Sequence, residues 1–386
     1  MSLFDVTLED IRWRRGRKWT AYGRNVIPMW IADADFHIAP QIKEALIEAV
    51  YEEDLGYSDD SEIRQLIQEK VRKINGIEVD ADDVYVTQGV LPSMWLACKY
   101  ACKPGEEVVV TDPLYYPFFT AIEAADARPV YWKLQMEDGY RLNVERLQEL
   151  ISPKTRLIFL CNPHNPTGRA FSKEELSALA DIAVDRDLIV MSDELWEDIV
   201  YDDRKHICFA SLNHEIGERT MTAFGFSKTF CVAGLQIGYV VSGNKEMMRE
   251  LKRIGKGILR GTSSLSLAAA KVMLSDKMTL FIKDVLRHLQ RMRDLATELL
   301  NEIEGVTCNK VEATYLAFPR VSFQGMSSEE LKDYLLKEAK VAVEAGSRYG
   351  SMGEHHIRVN FGTSEQILRE SMSRIELALS KHSVKT

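Results

Sequence analysis

The chain has six cysteines in 386 residues, none at the paired spacing of a zinc site. This argues against a disulfide framework or a cysteine-based metal centre, and no metal is expected. Cys98 and Cys102, four apart, read as small core residues on one helix. Long hydrophobic runs are missing as well: no window approaches the 18 or so uncharged apolar residues of a membrane span. The N-terminal MSLFDVTLED has neither the basic nor the apolar region of a secretory leader. Positive charge is in deficit, with 49 Lys and Arg against 58 Asp and Glu and a net charge of −9. Phosphate-backbone affinity rests on clustered cations, so a nucleic-acid partner is not expected. The cluster Arg12, Arg14, Arg15, Arg17, Lys18 is a local exception; broken by Trp13 and Gly16, it reads as a solvated or interface arm. Repeats, low-complexity tracts and Gly/Ser linkers are absent. The expectation is a cytoplasmic globular chain with no membrane partner, long enough to bury a large core.

The middle of the chain alternates short β-branched runs with longer amphipathic stretches, the pattern of an α/β fold with a mostly parallel sheet and crossover helices. Seven strands are predicted: Val84 to Thr87, Glu107 to Thr111, Pro129 to Lys133, Arg156 to Cys161, Asp187 to Ser192, Thr220 to Phe224 and Ile237 to Ser242. A helix over Lys173 to Arg186 opens with Ser172 and Glu175 placed as a capping box. Beyond residue 270 the texture changes. One long helix, Lys271 to Ile303, leads into a smaller α+β part with helices from Ser328 to Lys340 and from Ser364 to Lys381. The expected division is a large domain over 41–270 and a small one built from 1–40 and 271–386.

Ligands of open α/β sheets bind beyond the carboxyl ends of the strands, so the residues following each strand carry the chemistry. After the first comes Gln88-Gly89-Val90-Leu91-Pro92-Ser93, a turn with Pro92 expected to open a helix. The free N–H groups of Val90 and Leu91 would then cradle a phosphate. After the second come Tyr115 and Tyr116, set between two prolines that hold the backbone extended. Fixed there, they could wall a planar ring. The fourth strand is followed by NPHNPTG, a stiff loop that aims the amide of Asn165. The fifth ends on Asp193-Glu194, acids at a depth where a carboxylate needs a partner. The sixth leads to Lys228. An anion cradle, an aromatic wall, an aimed amide, a buried acid and a lysine together describe a site for pyridoxal 5′-phosphate. In it Asn165 donates to the ring hydroxyl, Asp193 holds the ring nitrogen protonated and Lys228 forms the Schiff base.

With these motifs in view, and with PMWIADADF, SKTFCVAGL, EATYLAF and GSRYGSMGEHHIRVNFG beside them, the chain resembles the fold-type I pyridoxal phosphate enzymes of the class I/II aminotransferase superfamily. Within them it resembles the MalY/PatB group of cystalysin-like cystathionine β-lyases. The resemblance implies that Arg358 clamps the substrate α-carboxylate, a task suited to a bidentate guanidinium. It implies that Tyr115 stacks on the ring and that Tyr116 is a catalytic phenol. Tyr57 would reach the cofactor phosphate of the neighbouring subunit, which makes the chain a homodimer. Two positions depart from the aminotransferase pattern. Gln236 stands eight residues after Lys228, where aminotransferases often carry a phosphate-binding Arg and the lyase group lacks it. Trp196 replaces the usual Tyr or His, and its indole N–H could donate to the ring hydroxyl. The expected activity is β-elimination on a sulfur amino acid, with class I/II transamination as the alternative. A regulator that keeps the fold without turnover is the least expected reading. The mouth of the substrate pocket is expected around Trp30 to Phe36, the partner's loop near Tyr57, and Arg260 to Ser264.

Overall fold

A computed structural model of the chain describes residues 3–259, 261–323 and 325–383. All seven expected strands form, and they share one sheet. Counting the short N-terminal strand β1 (Ile27–Pro28), they are β2 (Tyr85–Thr87), β3 (Glu107–Asp112), β4 (Arg128–Lys133), β5 (Thr155–Cys161), β6 (Ile189–Asp193), β7 (Thr220–Gly225) and β8 (Gly238–Val241). The order across the sheet is β2-β8-β7-β6-β5-β3-β4. The strands from β4 to β7 in that order pair in parallel, and β8 runs antiparallel to both β7 and β2. Parallel strands are buried on both faces, which accounts for their unbroken apolar runs. Val108 and Val110 pack with Leu157, Phe159 and Met191 on one face. Val109 joins Ile158, Leu160 and Val190 on the other. Each such burial contributes roughly 1.5–3 kcal/mol, so the sheet is held from both sides.

The capping box at Ser172 forms as expected, opening the helix Lys173–Asp185. The long helix does not form in one piece. Ser264–Met273 ends before Ser275, and a second helix runs Thr279–Glu302. Ser275 takes an extended backbone conformation, and its hydroxyl bonds back to the carbonyl of Val272 at 2.7 Å. A serine that satisfies a local carbonyl in this way competes with the helical ladder. The strand expected from Asp187 begins only at Ile189, because Asp187 sits at φ +51 in the turn before it.

The C-terminal region builds a three-stranded antiparallel sheet with Ile357–Asn360 between Leu316–Ala317 and Glu344–Ala345. The N-terminal segment joins this region, since β1 pairs in parallel with Val341–Ala342. Among the described residues, no helix is long and apolar enough to cross a membrane.

The helix Thr279–Glu302 is tied to the rest of the chain by Arg293, whose side chain is fully buried. It donates to both carboxylate oxygens of Asp202, at 2.7 and 3.2 Å, and to the carbonyl of Val311 at 2.6 Å. These bonds hold the Asp202 carboxyl down at about 2. A depressed carboxylate stabilises the fold above its unfolded value near 4, and loses that contribution as pH falls through 2. Asp202→Ala would leave the buried guanidinium with Asp294, 2.6 Å from its Nε, as its remaining counter-ion and should destabilise the chain by about 2 kcal/mol at pH 7. Urea titration of variant and parent should show a gap that narrows only below pH 4.

Candidate active site

The parallel strands bring their carboxyl ends to one edge, and the expected residues collect there in strand order. At the end of β2, Gly89 takes φ +90 and Val90 caps the helix Leu91–Ala101. Pro92 is thus the second helical residue rather than the first. Among the described residues no acceptor is recorded for the N–H groups of Val90 and Leu91, and the Ser93 hydroxyl is buried without a partner. The turn is packed tightly against β8: a Cβ on Gly238 would lie 2.8 Å from the Phe224 carbonyl oxygen and 2.9 Å from the Gly89 backbone.

β6 ends on Asp193 and β7 leads to Lys228, on neighbouring strands. Asp193 faces the site with one backbone donor, the N–H of Leu195 at 3.1 Å. Burial raises its carboxyl to about 7, against the pull of that N–H and of Lys228. Glu194 points to the opposite face, as strand alternation requires. There it accepts from Ser192, from the N–H of Phe209 and from His206, and is fully satisfied as a structural group. Of the adjacent acids only Asp193 is therefore available to a ligand. The amine of Lys228 is lowered to about 8, chiefly by burial, with Asp33 acting in the opposite sense. It donates to the carbonyl of Ala32 at 2.7 Å and lies 5.5 Å from the centroid of the Trp196 ring. Trp196 thus presents its π face to the lysine, and its ring meets that of Tyr315 at a steep angle, 4.6 Å between centroids.

Asn165 and Arg358 come together from opposite ends of the sequence. Arg358 Nη1 donates to Asn165 Oδ1 at 3.2 Å, and Nη2 to the carbonyl of Trp30 at 2.7 Å. With its oxygen so occupied, the Asn165 amide keeps its NH2 as the free end. Its loop is braced by His164, whose ring bridges Thr111 on β3 and Thr167. Burial drops the His164 imidazole to about 3, so it is a neutral strut.

The aromatic wall forms with one correction. Tyr116 is not extended: it takes φ −57, ψ −27 and caps the helix Pro117–Glu123, whose first residue is the proline. Tyr115 and Tyr116 lie 5.2 Å apart between ring centroids, and burial pushes the Tyr115 phenol up to about 12. The guanidinium of Arg348 sits 4.2 Å from the centroid of Tyr116.

Two groups escaped the sequence reading. Tyr349 is buried, its hydroxyl has no partner, and the Arg358 guanidinium lies 5.1 Å from its ring. Asp112 fixes it there by accepting from the backbone and side chain of Ser351. Gly350 at φ +125 permits the approach, since a Cβ there would fall 2.1 Å from Asp112 Oδ1. The second is Asp33, in the ADADF stretch. Tyr57 does not enter the site of its own chain; it is fully exposed. Gln236 is exposed at φ +48. Arg260 lies outside the described residues.

A family model described as aminotransferase class I and II matches residues 25–375. Aspartate aminotransferase of Pyrococcus abyssi is 33% identical over 363 residues, 92% of either chain. Cystathionine beta-lyase PatB of Bacillus subtilis is 31% identical over 376 residues, covering 94% of this chain and 96% of its own. A PLP-bound structure from Clostridium difficile 630 superposes with a TM-score of 0.90 at 29% identity, over 95% of this chain and 96% of its own. The unsatisfied groups of the site fit such a cofactor. Two free N–H groups and a buried hydroxyl suit a phosphate. A buried acid with a single N–H partner suits a protonated ring nitrogen, and the Arg358 Nε, buried and unpartnered, suits a substrate carboxylate.

The raised Asp193 carboxyl has a thermodynamic consequence for the cofactor-free chain. Its folded value of about 7 exceeds the unfolded value near 4, so the folded chain binds the extra proton and loses stability as pH rises through that window. Asp193→Asn should make the cofactor-free protein more stable than the parent above pH 7, by up to about 4 kcal/mol. The difference should vanish near pH 4, as read by urea titration at the two pH values.

Proposed function

The chain belongs to the aminotransferase class I and II family and is an enzyme of the fold-type I group with pyridoxal phosphate as cofactor, and we propose that it is a carbon–sulfur β-lyase. Its substrate would be an amino acid with sulfur on the β-carbon, cleaved to a thiol, pyruvate and ammonia. When bound, pyridoxal phosphate supplies an aldehyde for the amine and a protonated ring that withdraws electrons from the substrate α-carbon.

The chain's own residues divide the remaining work. The N–H groups of Val90 and Leu91 hold the phosphate, joined by Tyr57 of a second copy in a homodimer. Asp193 keeps the ring nitrogen protonated, Asn165 orients the ring hydroxyl with its free NH2, Tyr115 lies against the ring, and Trp196 closes the site behind Lys228. Arg358 receives the α-carboxylate. Lys228 tethers the cofactor at rest and then acts as the base on the α-hydrogen. Burial suits it to this, because an amine at about 8 is about a tenth deprotonated at pH 7, where an ordinary lysine is almost wholly protonated. Tyr116 is a catalytic phenol beside the Arg348 cation. In this reading residues 41–270 form the cofactor domain, and 1–40 with 271–386 the small domain that carries Arg358.

The observation that carries the choice of reaction is Gln236, uncharged and exposed at the eighth position after Lys228. It offers a phosphate no cation. Lys228 can compensate by tethering the cofactor between turnovers in elimination, whereas half of a transamination cycle leaves that tether open. Transamination is the second reading, favoured by the similarity to the Pyrococcus abyssi aspartate aminotransferase. The two separate in one assay. Holoenzyme given cystathionine or a cysteine S-conjugate, with no keto acid, should release pyruvate over hundreds of turnovers. A single turnover that gives the substrate's own keto acid with its sulfur retained, releases no pyruvate and resumes only when a keto acid acceptor is added would assign the chain to the aminotransferases. Lys228→Ala should lower kcat by at least about 1,000-fold in either case.

A further inference from the structure

Residues 30–33 pass beside Lys228 and Arg358 with four successive carbonyls, each held by a side-chain donor. Trp30 accepts from Arg358 at 2.7 Å and Ile31 from Asn360 at 2.7 Å. Ala32 accepts from Lys228 at 2.7 Å and from the Tyr315 hydroxyl at 3.4 Å. Asp33 accepts from Lys18 and again from Asn360, both at 2.7 Å. Arg358 and Asn360 alternate on one strand and so reach the segment from the same face. A stretch with no regular secondary structure is thereby fixed, with the backbone of Asp33 next to the carbonyl that Lys228 bonds. Its carboxylate accepts no hydrogen bond from any described residue. The neighbouring acid differs, since Asp35 is buried in an ion pair with Lys18 at 2.7 Å.

We propose that Asp33 is a positioning residue for Lys228: its carboxylate, one residue beyond the carbonyl that Lys228 bonds, is the counter-ion of the protonated amine. In elimination one proton moves. Nζ takes it from the α-carbon, the C–H pair becomes the new Cα–Cβ double bond, the Cβ–S pair leaves on sulfur, and sulfur takes the proton from Nζ. Asp33 holds that proton on Nζ until sulfur collects it. Among the charges acting on the Lys228 amine Asp33 is the strongest, ahead of Arg358 and Asp193. Burial raises the Asp33 carboxyl, while Lys18, Lys228 and Arg14 oppose that rise and Asp35 adds to it. Cys231 and Tyr315 complete the surroundings; burial pushes both far up, so they stay neutral there.

The inference rests on Lys228 being the cofactor lysine, and the test separates the two. The full-length chain, freed of cofactor, is labelled with trace acetic anhydride across a pH series. Acetylation of Lys228 is read by mass spectrometry for the parent, Asp33→Asn and Asp33→Ala. Removing the counter-ion should lower the Lys228 midpoint by roughly one pH unit in both variants, the size of one charge a few ångström away. Loosened packing alone would admit water and raise the midpoint toward that of an ordinary lysine, and a rise or no change in both variants overturns the proposal. In parallel, the pyridoxal phosphate-loaded parent is reduced with borohydride and its peptides mapped. A label on Lys228 with an unmoved midpoint sinks the Asp33 role alone. A label on another lysine overturns the Lys228 reading and this proposal with it.

Discussion

One guanidinium holds the site together. Arg358 donates to Asn165 in the loop after β5 and to the carbonyl of Trp30 in the N-terminal segment, and so joins three stretches of chain separated by 193 and 328 residues. It is almost wholly buried, and its Nε is left without a partner. A buried cation so arranged costs free energy unless an anion completes it. The same group therefore sets the orientation of the Asn165 amide, fixes the segment that reaches Lys228, and leaves its Nε–H without an acceptor.

The electrostatics of the site follow from burial opposed by few partners. Asp193 rises to about 7 and Lys228 falls to about 8, each pushed by desolvation toward its neutral form. Perturbation of opposite groups toward a common value marks places where proton transfer is arranged. Nearby titratable groups differ in finding their hydrogen-bond partners within the chain. Glu194 is enclosed by three donors, and His164 is a neutral strut between two threonines. The contrast separates Asp193, with its single backbone donor, from Glu194 beside it.

Much of this was legible in the chain. The seven β-branched runs became seven strands of one sheet, and the residues following five of them lie at one edge. Where the reading failed, a local competitor had outweighed the pattern. The Ser275 hydroxyl broke a helix whose hydrophobic period ran on. Pro117 opened a helix that drew Tyr116 into the helical region, although a residue before proline is usually extended. Trp196 was read by its N–H, yet it turns its ring toward the lysine.

By itself the sequence determined that an anion cradle, aromatic rings, an amide, an acid and a lysine share one edge. The reason is geometric: parallel strands joined by crossovers must all end on the same side, so residues placed after each strand are gathered whatever their separation in sequence. Only the tertiary structure decided that Arg358 meets Asn165, that Tyr349 is held beneath Arg358 by Asp112 and Ser351, and that the carbonyl of Ala32, with Asp33 beside it, faces Lys228. Those contacts join the C-terminal sheet and the N-terminal segment to the large sheet. No local period encodes them, because each depends on how surfaces far apart in sequence close on one another.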